Sequence, residues 1–166
     1  GKMSLFNKLQ VSAFQAVSPR TAGFNTIDLS KLTDSSKFFM MLLMFVGGSP
    51  ASTAGGIKTT TLAVLVLAML AFINNRDVEA YGRRINCAVV NKAMTIVVIA
   101  LFIVITGSML ISIGNPHIAF LDILFEVISA FATVGLTLGI TTKLTATSQF
   151  ILILIMFAGR VGALTI

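Results

Sequence analysis

Residues 93–113 (AMTIVVIALFIVITGSMLISI) carry no charged side chain over 21 positions, enough for a helix to cross a bilayer, which needs roughly 20 apolar residues. After a short turn, residues 120–131 (FLDILFEVISAF) predict an amphipathic helix too short to cross. A Gly- and Thr-rich stretch, ATVGLTLGITT, follows it, and a new apolar run begins near 150. Earlier in the chain the order is the same: a short helix over about 5–17, the stretch SPRTAGFNT, a connector at 26–34, then a helix from about Ser35. Asp34, Ser35 and Ser36 supply its N-cap region. The element from 35 to 73 is too long for one crossing and is interrupted at 47–61 by GGSPASTAGGIKTTT. This pattern predicts two short helices on either side of a non-helical loop at membrane depth, which survives only when it lines water or packs on protein.

The resemblance between the two halves is a true repeat. Residues 21–54 align with 133–166 at an offset of 112, without a gap, and 13 of 34 positions are identical. The identities include Thr21/Thr133, Gly23/Gly135, Thr33/Thr145, Ser36/Ser148, Gly47/Gly159 and Thr53/Thr165. The short helices align one residue differently, Phe14-Gln15 with Phe125-Glu126. A repeated unit of short helix, Gly loop and apolar helix is how membrane proteins assemble a pore from equivalent parts.

Composition agrees with the pattern. The chain is 56% hydrophobic and 11% charged, against about 25% charge for soluble domains. Its net charge of +6 would suggest nucleic acid in a soluble protein, but the cations are scattered beside apolar segments, so no nucleic-acid partner is expected. Arg76, Arg83, Arg84 and Lys92 cluster in 74–92, whereas 114–119 has no Lys or Arg. The positive-inside rule places 74–92 in the cytoplasm and 114–119 outside, so both Gly loops enter from the outer face. Cys87, the single cysteine, excludes an internal disulfide and a cysteine metal site. No charged-then-apolar leader opens the sequence, so the spans are not secretion signals. The last apolar run is unbroken at Ile166, which predicts a segment of a longer chain.

The two loops carry the chemistry. Thr21-Ala22-Gly23-Phe24-Asn25 and Thr133-Val134-Gly135-Leu136-Thr137 look like degenerate relatives of the TVGYG potassium filter. A dehydrated potassium ion needs a cage of backbone carbonyls, and the backbone angles that aim them inward favour glycine. The preceding helix turns its partly negative C-terminus toward the cation. One Thr-x-Gly is an ordinary turn in many proteins; two at constant spacing, each behind a short helix, point to a filter. Asn25 and Thr137 stand where the strict filter has a second glycine, so fewer ion sites and weaker rejection of sodium are expected.

The interruption after Phe45 predicts a gate formed by Gly47, Gly48, Ser49, Pro50, Ser52, Thr53, Gly55, Gly56 and Lys58; the plainer alternative is a static kink. A phosphate loop is excluded because Ile57 separates Gly56 from Lys58 and the motif needs Gly-Lys contiguous. Lys58 either blocks cations or reaches the cytoplasmic surface. Arg160 replaces Gly48 in the second copy; an arginine inside a span is a functional candidate, here a pore-facing charge below the filter, or else a structural partner of a carbonyl or acid. Asp122 and Glu126 could draw cations to the outer mouth, with Glu126 better suited to bracing the filter. His117 reads as a solvated turn residue.

The strings SPRTAGFNT, FVGGSPASTAGGIKTTT, FEVISAFATVGLTLG and FAGRVGALT together resemble the Trk/Ktr/HKT superfamily of potassium transporters, most closely its bacterial Ktr membrane subunits. The resemblance implies an all-α polytopic protein with M1–pore loop–M2 repeats around a pseudo-fourfold pore. Residues 1–73 would supply the pore helix, filter loop and interrupted M2 of a third repeat; 74–92 the cytoplasmic connection; 93–166 the M1, pore helix, filter loop and truncated M2 of a fourth. It implies potassium uptake rather than enzymatic turnover, with K+ held at the filter carbonyls, stimulation by sodium and no organic cofactor. Implied partners are the lipid bilayer, the rest of the subunit, a second copy in a homodimer and a cytoplasmic nucleotide-binding ring, in a multi-pass bacterial plasma-membrane protein. Two other readings were weighed. A secondary transporter of another small cation or solute would share broken helices, but its repeats are usually inverted; a non-transporting scaffold would not need matched Thr-x-Gly loops.

Overall fold

The computed structural model describes residues 5–20, 22–24, 29, 32–48, 55–74, 77–80 and 83–162. Of the positions singled out above, Thr21, Asn25, Ser49, Pro50, Ser52, Thr53, Arg76, Thr165 and Ile166 lie outside the described residues. Among the described residues six α-helices follow in order: α1 (Leu5–Val17), α2 (Asp34–Phe45), α3 (Thr59–Ile73), α4 (Cys87–Gly114), α5 (Phe120–Phe131) and α6 (Ala146–Gly162). Between α3 and α4 a small antiparallel hairpin pairs β1 (Glu79–Ala80) with β2 (Arg83–Arg84). The chain is mostly helical, as expected of an all-α protein, and this hairpin of two two-residue strands lies in the charge-rich connection between α3 and α4.

The apolar periodicity places the helices closely. Short helices expected at 5–17 and 120–131 are α1 and α5. The long helix starts ahead of residue 93, because Asn86 caps it by accepting the Ala88 N–H on Oδ1 at 3.0 Å. Cys87 and Lys92 therefore belong to α4 rather than to a loop. This helix alone among those described is long and apolar enough to cross a membrane, with a mean hydropathy of 2.8 over its best window.

Helix starts explain part of the repeat. α2 begins at Asp34 behind an extended Thr33, so the N-cap is Thr33 and not the Asp34–Ser36 stretch. Thr33 Oγ1 lies 2.9 Å from Ser36 Oγ, and Thr145 Oγ1 lies 2.9 Å from Ser148 Oγ at the start of α6. In the second copy this corner is tied to the end of α4. Buried Asn115 donates to Ser148 Oγ at 2.7 Å and to the Ile111 carbonyl at 3.0 Å, and accepts from Thr145 N–H at 3.2 Å.

The core centres on α5, which packs against α2, α4 and α6 and is almost wholly buried from Ile123 to Phe131. Helix α6 approaches it closely because Gly159 has no side chain. A Cβ there would sit 1.9 Å from the Phe131 carbonyl oxygen. Gly107 of α4 does the same for Ile155 of α6, whose Cδ1 would lie 2.5 Å from an added Cβ. Small residues at such crossings let helix backbones approach without a hydrophobic driving force from lipid.

Candidate functional site: paired loops and a broken helix

The end of α5 forms the second Thr-x-Gly loop through its own capping. Thr133 N–H bonds the Ala130 carbonyl at 3.1 Å and Val134 N–H bonds the Ser129 carbonyl at 3.0 Å, the bond pattern of a Schellman motif with Ala132 as C-cap. The residue just past such a cap adopts left-handed angles, and here it is Thr133, at φ +54°. Glycine is usual at this position, and a β-branched residue is strained there by about 1–3 kcal/mol. The hydroxyl gives a reason for threonine: Thr133 Oγ1 accepts the backbone N–H of Gly55 at 3.1 Å. Leaving that buried N–H unpaired would cost a similar amount.

Beyond Thr133 the chain forms no regular element, and Leu136, Leu138 and Ile140 are buried while Gly135, Thr137 and Gly139 are exposed between them. Gly135 holds φ +88° with nothing within 4 Å of an added Cβ. The first loop lies directly beside it: a Cβ on Gly23 (φ +69°) would be 2.4 Å from the Val134 carbonyl oxygen and 3.8 Å from Gly135 Cα. Gly23 is thus brought against Val134 and Gly135, though 112 residues separate the two glycines.

Each loop is held from behind by a serine that sequence reasoning did not single out. Ser18 Oγ donates to the Phe24 carbonyl at 2.5 Å and Ser129 Oγ donates to the Leu136 carbonyl at 2.6 Å. Both serines are buried. Their backbone carbonyls also accept from the loops, Ser18 from Ala22 and Gly23, Ser129 from Val134. The one-residue offset between short-helix alignment and loop alignment was the available signal, since it makes Ser18 and Ser129 equivalent.

The acids divide. Glu126, buried on α5, accepts from Thr137 Oγ1, from Leu138 N–H at 3.1 Å and from Thr141 Oγ1 at 3.1 Å. It therefore clamps the second loop from Thr137 to Thr141. Asp122 is not a free charge at an outer mouth. Lys37 of α2, buried and overlooked in the sequence, contacts it at 2.8 Å and reaches exposed Asp34 at 3.5 Å. His117 is exposed, as its turn suggested.

The broken helix is stitched across its gap. A parallel bridge joins Val46 to Ile57: Gly47 N–H bonds the Ile57 carbonyl at 2.8 Å and Ile57 N–H bonds the Phe45 carbonyl at 3.2 Å. Thr59 N–H reaches the Gly48 carbonyl at 3.4 Å. Carbonyls orphaned at the end of α2 are thereby satisfied without helix continuity. Close approach at the stitch needs Gly47, where a Cβ would lie 2.2 Å from the Gly55 carbonyl oxygen. Gly56 (φ +76°) turns the chain beside Ala132, and Phe45 meets Phe131 with ring centroids 6.4 Å apart. Gly47, Gly48, Gly55 and Gly56 are thus gathered below the second loop, and half-buried Lys58 is the N-cap of α3. Arg160 lies on α6, one residue past the Gly159 crossing, and is exposed to solvent within the chain.

Comparison with known proteins places this arrangement. The profile of a family described as TrkH, cation transport protein, matches residues 2–166. The Ktr system potassium uptake protein B of Bacillus subtilis is 43% identical over 166 residues, covering 99% of this chain and 37% of that protein. The protein of the same name in Vibrio alginolyticus is 37% identical, over 100% of this chain and 36% of its own length. The potassium/sodium uptake protein NtpJ of Enterococcus hirae is 38% identical, over 99% and 38% respectively. The chain therefore spans somewhat more than a third of the length of these relatives.

Proposed function

The chain belongs to the TrkH family of cation transport proteins, and on that footing we propose that it supplies two adjacent quarters of a potassium-conducting pore in a longer subunit. In this reading the loops at 21–25 and 133–137 are filter segments, each giving a short run of carbonyl oxygens to a dehydrated ion. The relatives named for potassium uptake and for potassium/sodium uptake support K+ as the cargo and sodium as a second ion. The observation that carries the reading is the packing of Gly23 against Val134, which joins two equivalent loops side by side as a carbonyl ring requires.

The stitched loop from Gly47 to Lys58 acts as the gate. The bond from Gly55 to Thr133 of the neighbouring quarter supports this role: breaking it would free the loop to open the path while the Val46–Ile57 bridge keeps α2 and α3 in register. Arg160 reduces cation occupancy below the filter or holds this loop by hydrogen bonds. A second copy and a cytoplasmic nucleotide-binding ring complete the assembly. The test is rubidium uptake by the full-length protein in potassium-uptake-deficient cells, with Gly23 and Gly135 each changed to Ala. Loss of uptake or a fall in potassium-over-sodium preference is expected, and wild-type preference in both variants would overturn the filter assignment.

A further inference from the structure

Ser18 and Ser129 make the same pair of contacts in the two copies. The backbone carbonyl of each holds the N–H of the residue before the loop glycine, Ala22 at 3.2 Å and Val134 at 3.0 Å. The hydroxyl of each holds the carbonyl of the residue after that glycine, Phe24 at 2.5 Å and Leu136 at 2.6 Å. The loop glycine is thus gripped on both sides by a single residue.

Two differences between the copies show what this grip is for. Six residues separate serine from carbonyl in the first copy and seven in the second, because α1 ends at Val17 ahead of Pro19 while the second helix runs on past Ser129 to Phe131. The side chains also have opposite surroundings: Phe24 is 69% exposed and Leu136 is 2% exposed. Neither chain length nor side-chain packing is shared, yet the hydroxyl–carbonyl bond is reproduced to within 0.1 Å.

We infer that Ser18 and Ser129 are positioning residues that determine ion selectivity: each draws the carbonyl following the filter glycine back into the protein and ends the ion-facing run of carbonyls at that glycine. The inference rests on the filter reading above. A carbonyl directed at a buried hydroxyl is not available to replace an ion's hydration shell, and the number of available carbonyls is what a filter uses to discriminate. Removing the hydroxyl frees that oxygen and the glycine beside it, so the outermost ion site changes in ligand number and rigidity.

The test is rubidium uptake with sodium as competitor, in the full-length protein, normalised to the amount of folded protein in the membrane. Ser18→Ala and Ser129→Ala are each expected to shift the apparent preference for rubidium over sodium by about fivefold, the scale of one net hydrogen bond. Ser→Cys variants, equal in shape but weak donors, should behave like the Ala variants, and Ser→Thr variants should restore the wild-type ratio. The Cys pair also serves if the Ala variants fail to fold. A wild-type ion preference in the Cys variants, or a loss of uptake that only follows the loss of folded protein, would overturn the inference. If Gly23→Ala and Gly135→Ala change the preference while the serine variants do not, the filter stands and the serine role falls. If none of the four does, the filter reading itself is wrong.

Discussion

Gly55 donates its backbone N–H to Thr133 Oγ1 at 3.1 Å across 78 residues of sequence, joining the break in one helix to the strained base of the neighbouring loop. Thr133 keeps left-handed backbone angles there, where glycine would fit with less strain. The side chain that makes the position unfavourable is the one that makes the contact.

Replacing Thr133 by Val keeps the β-branched shape and removes the acceptor. Hydrogen exchange at the Gly55 amide in the full-length protein should then speed up by about five- to thirtyfold, for a loss of about 1–2 kcal/mol. Thr133→Ser, which keeps the hydroxyl, should exchange at close to the wild-type rate. Equal exchange in all three proteins would show that the contact does not hold the loop.

Gly159 and Gly135 should respond oppositely to the same substitution. Alanine at Gly159 meets the Phe131 backbone carbonyl at 1.9 Å, so α6 must move from α5, at a loss of about 1–3 kcal/mol or more. Alanine at Gly135 meets nothing within 4 Å and suffers only the left-handed backbone penalty of about 1–2 kcal/mol. Thermal unfolding should show the larger fall in Tm for Gly159→Ala, and ion preference the larger change for Gly135→Ala.

Glu126 separates bracing from attraction. Its donors include the Thr137 and Thr141 hydroxyls and the Leu138 N–H. A glutamine can keep Thr137 and Leu138 on its amide oxygen and turn its NH2 to Thr141. Glu126→Gln should therefore retain most rubidium uptake and thermal stability, whereas Glu126→Ala should lose both. If the carboxylate served to attract cations, Glu126→Gln would instead weaken apparent ion affinity as much as Glu126→Ala does.

The Lys37–Asp122 pair predicts an asymmetry in stability. Lys37→Met leaves Asp122, whose side chain is 26% exposed, without its ammonium partner. Asp122→Asn leaves the buried Lys37 with only exposed Asp34, at 3.5 Å, as a counter-charge. Lysine is the more deeply buried partner, so Asp122→Asn should destabilise more, by about 2–4 kcal/mol, and the double variant should recover part of the loss. Thermal melts of the four proteins form the cycle that checks this.

Much of this chain was legible from local sequence. Hydropathy and length located α1, α4 and α5, and the run of Gly, Pro, Ser and Thr after Phe45 located the break between α2 and α3. The Thr-x-Gly repeat marked both loops. These features are local consequences of apolar periodicity and backbone freedom, so a linear reading reaches them. The start of α4 was misplaced because Asn91 and Lys92 interrupt the apolar run after its first turn, and the capping Asn86 carries no hydrophobic signal.

Tertiary structure alone decided which residues meet. Lys37 read as one more flanking cation until α2 packed on α5 and placed it on Asp122, 85 residues away. Ser18, Ser129 and Asn115 were not singled out in the sequence, and only burial against a specific carbonyl or hydroxyl gave them partners. Gly47 and Gly159, an identity in the repeat, proved to serve different neighbours, Gly55 in one case and Phe131 in the other. The sequence by itself determined the repeated unit, because glycine and apolar spacing act within a few residues. The contacts that join the units came from close packing of helices, which brings together groups no sequence interval marks.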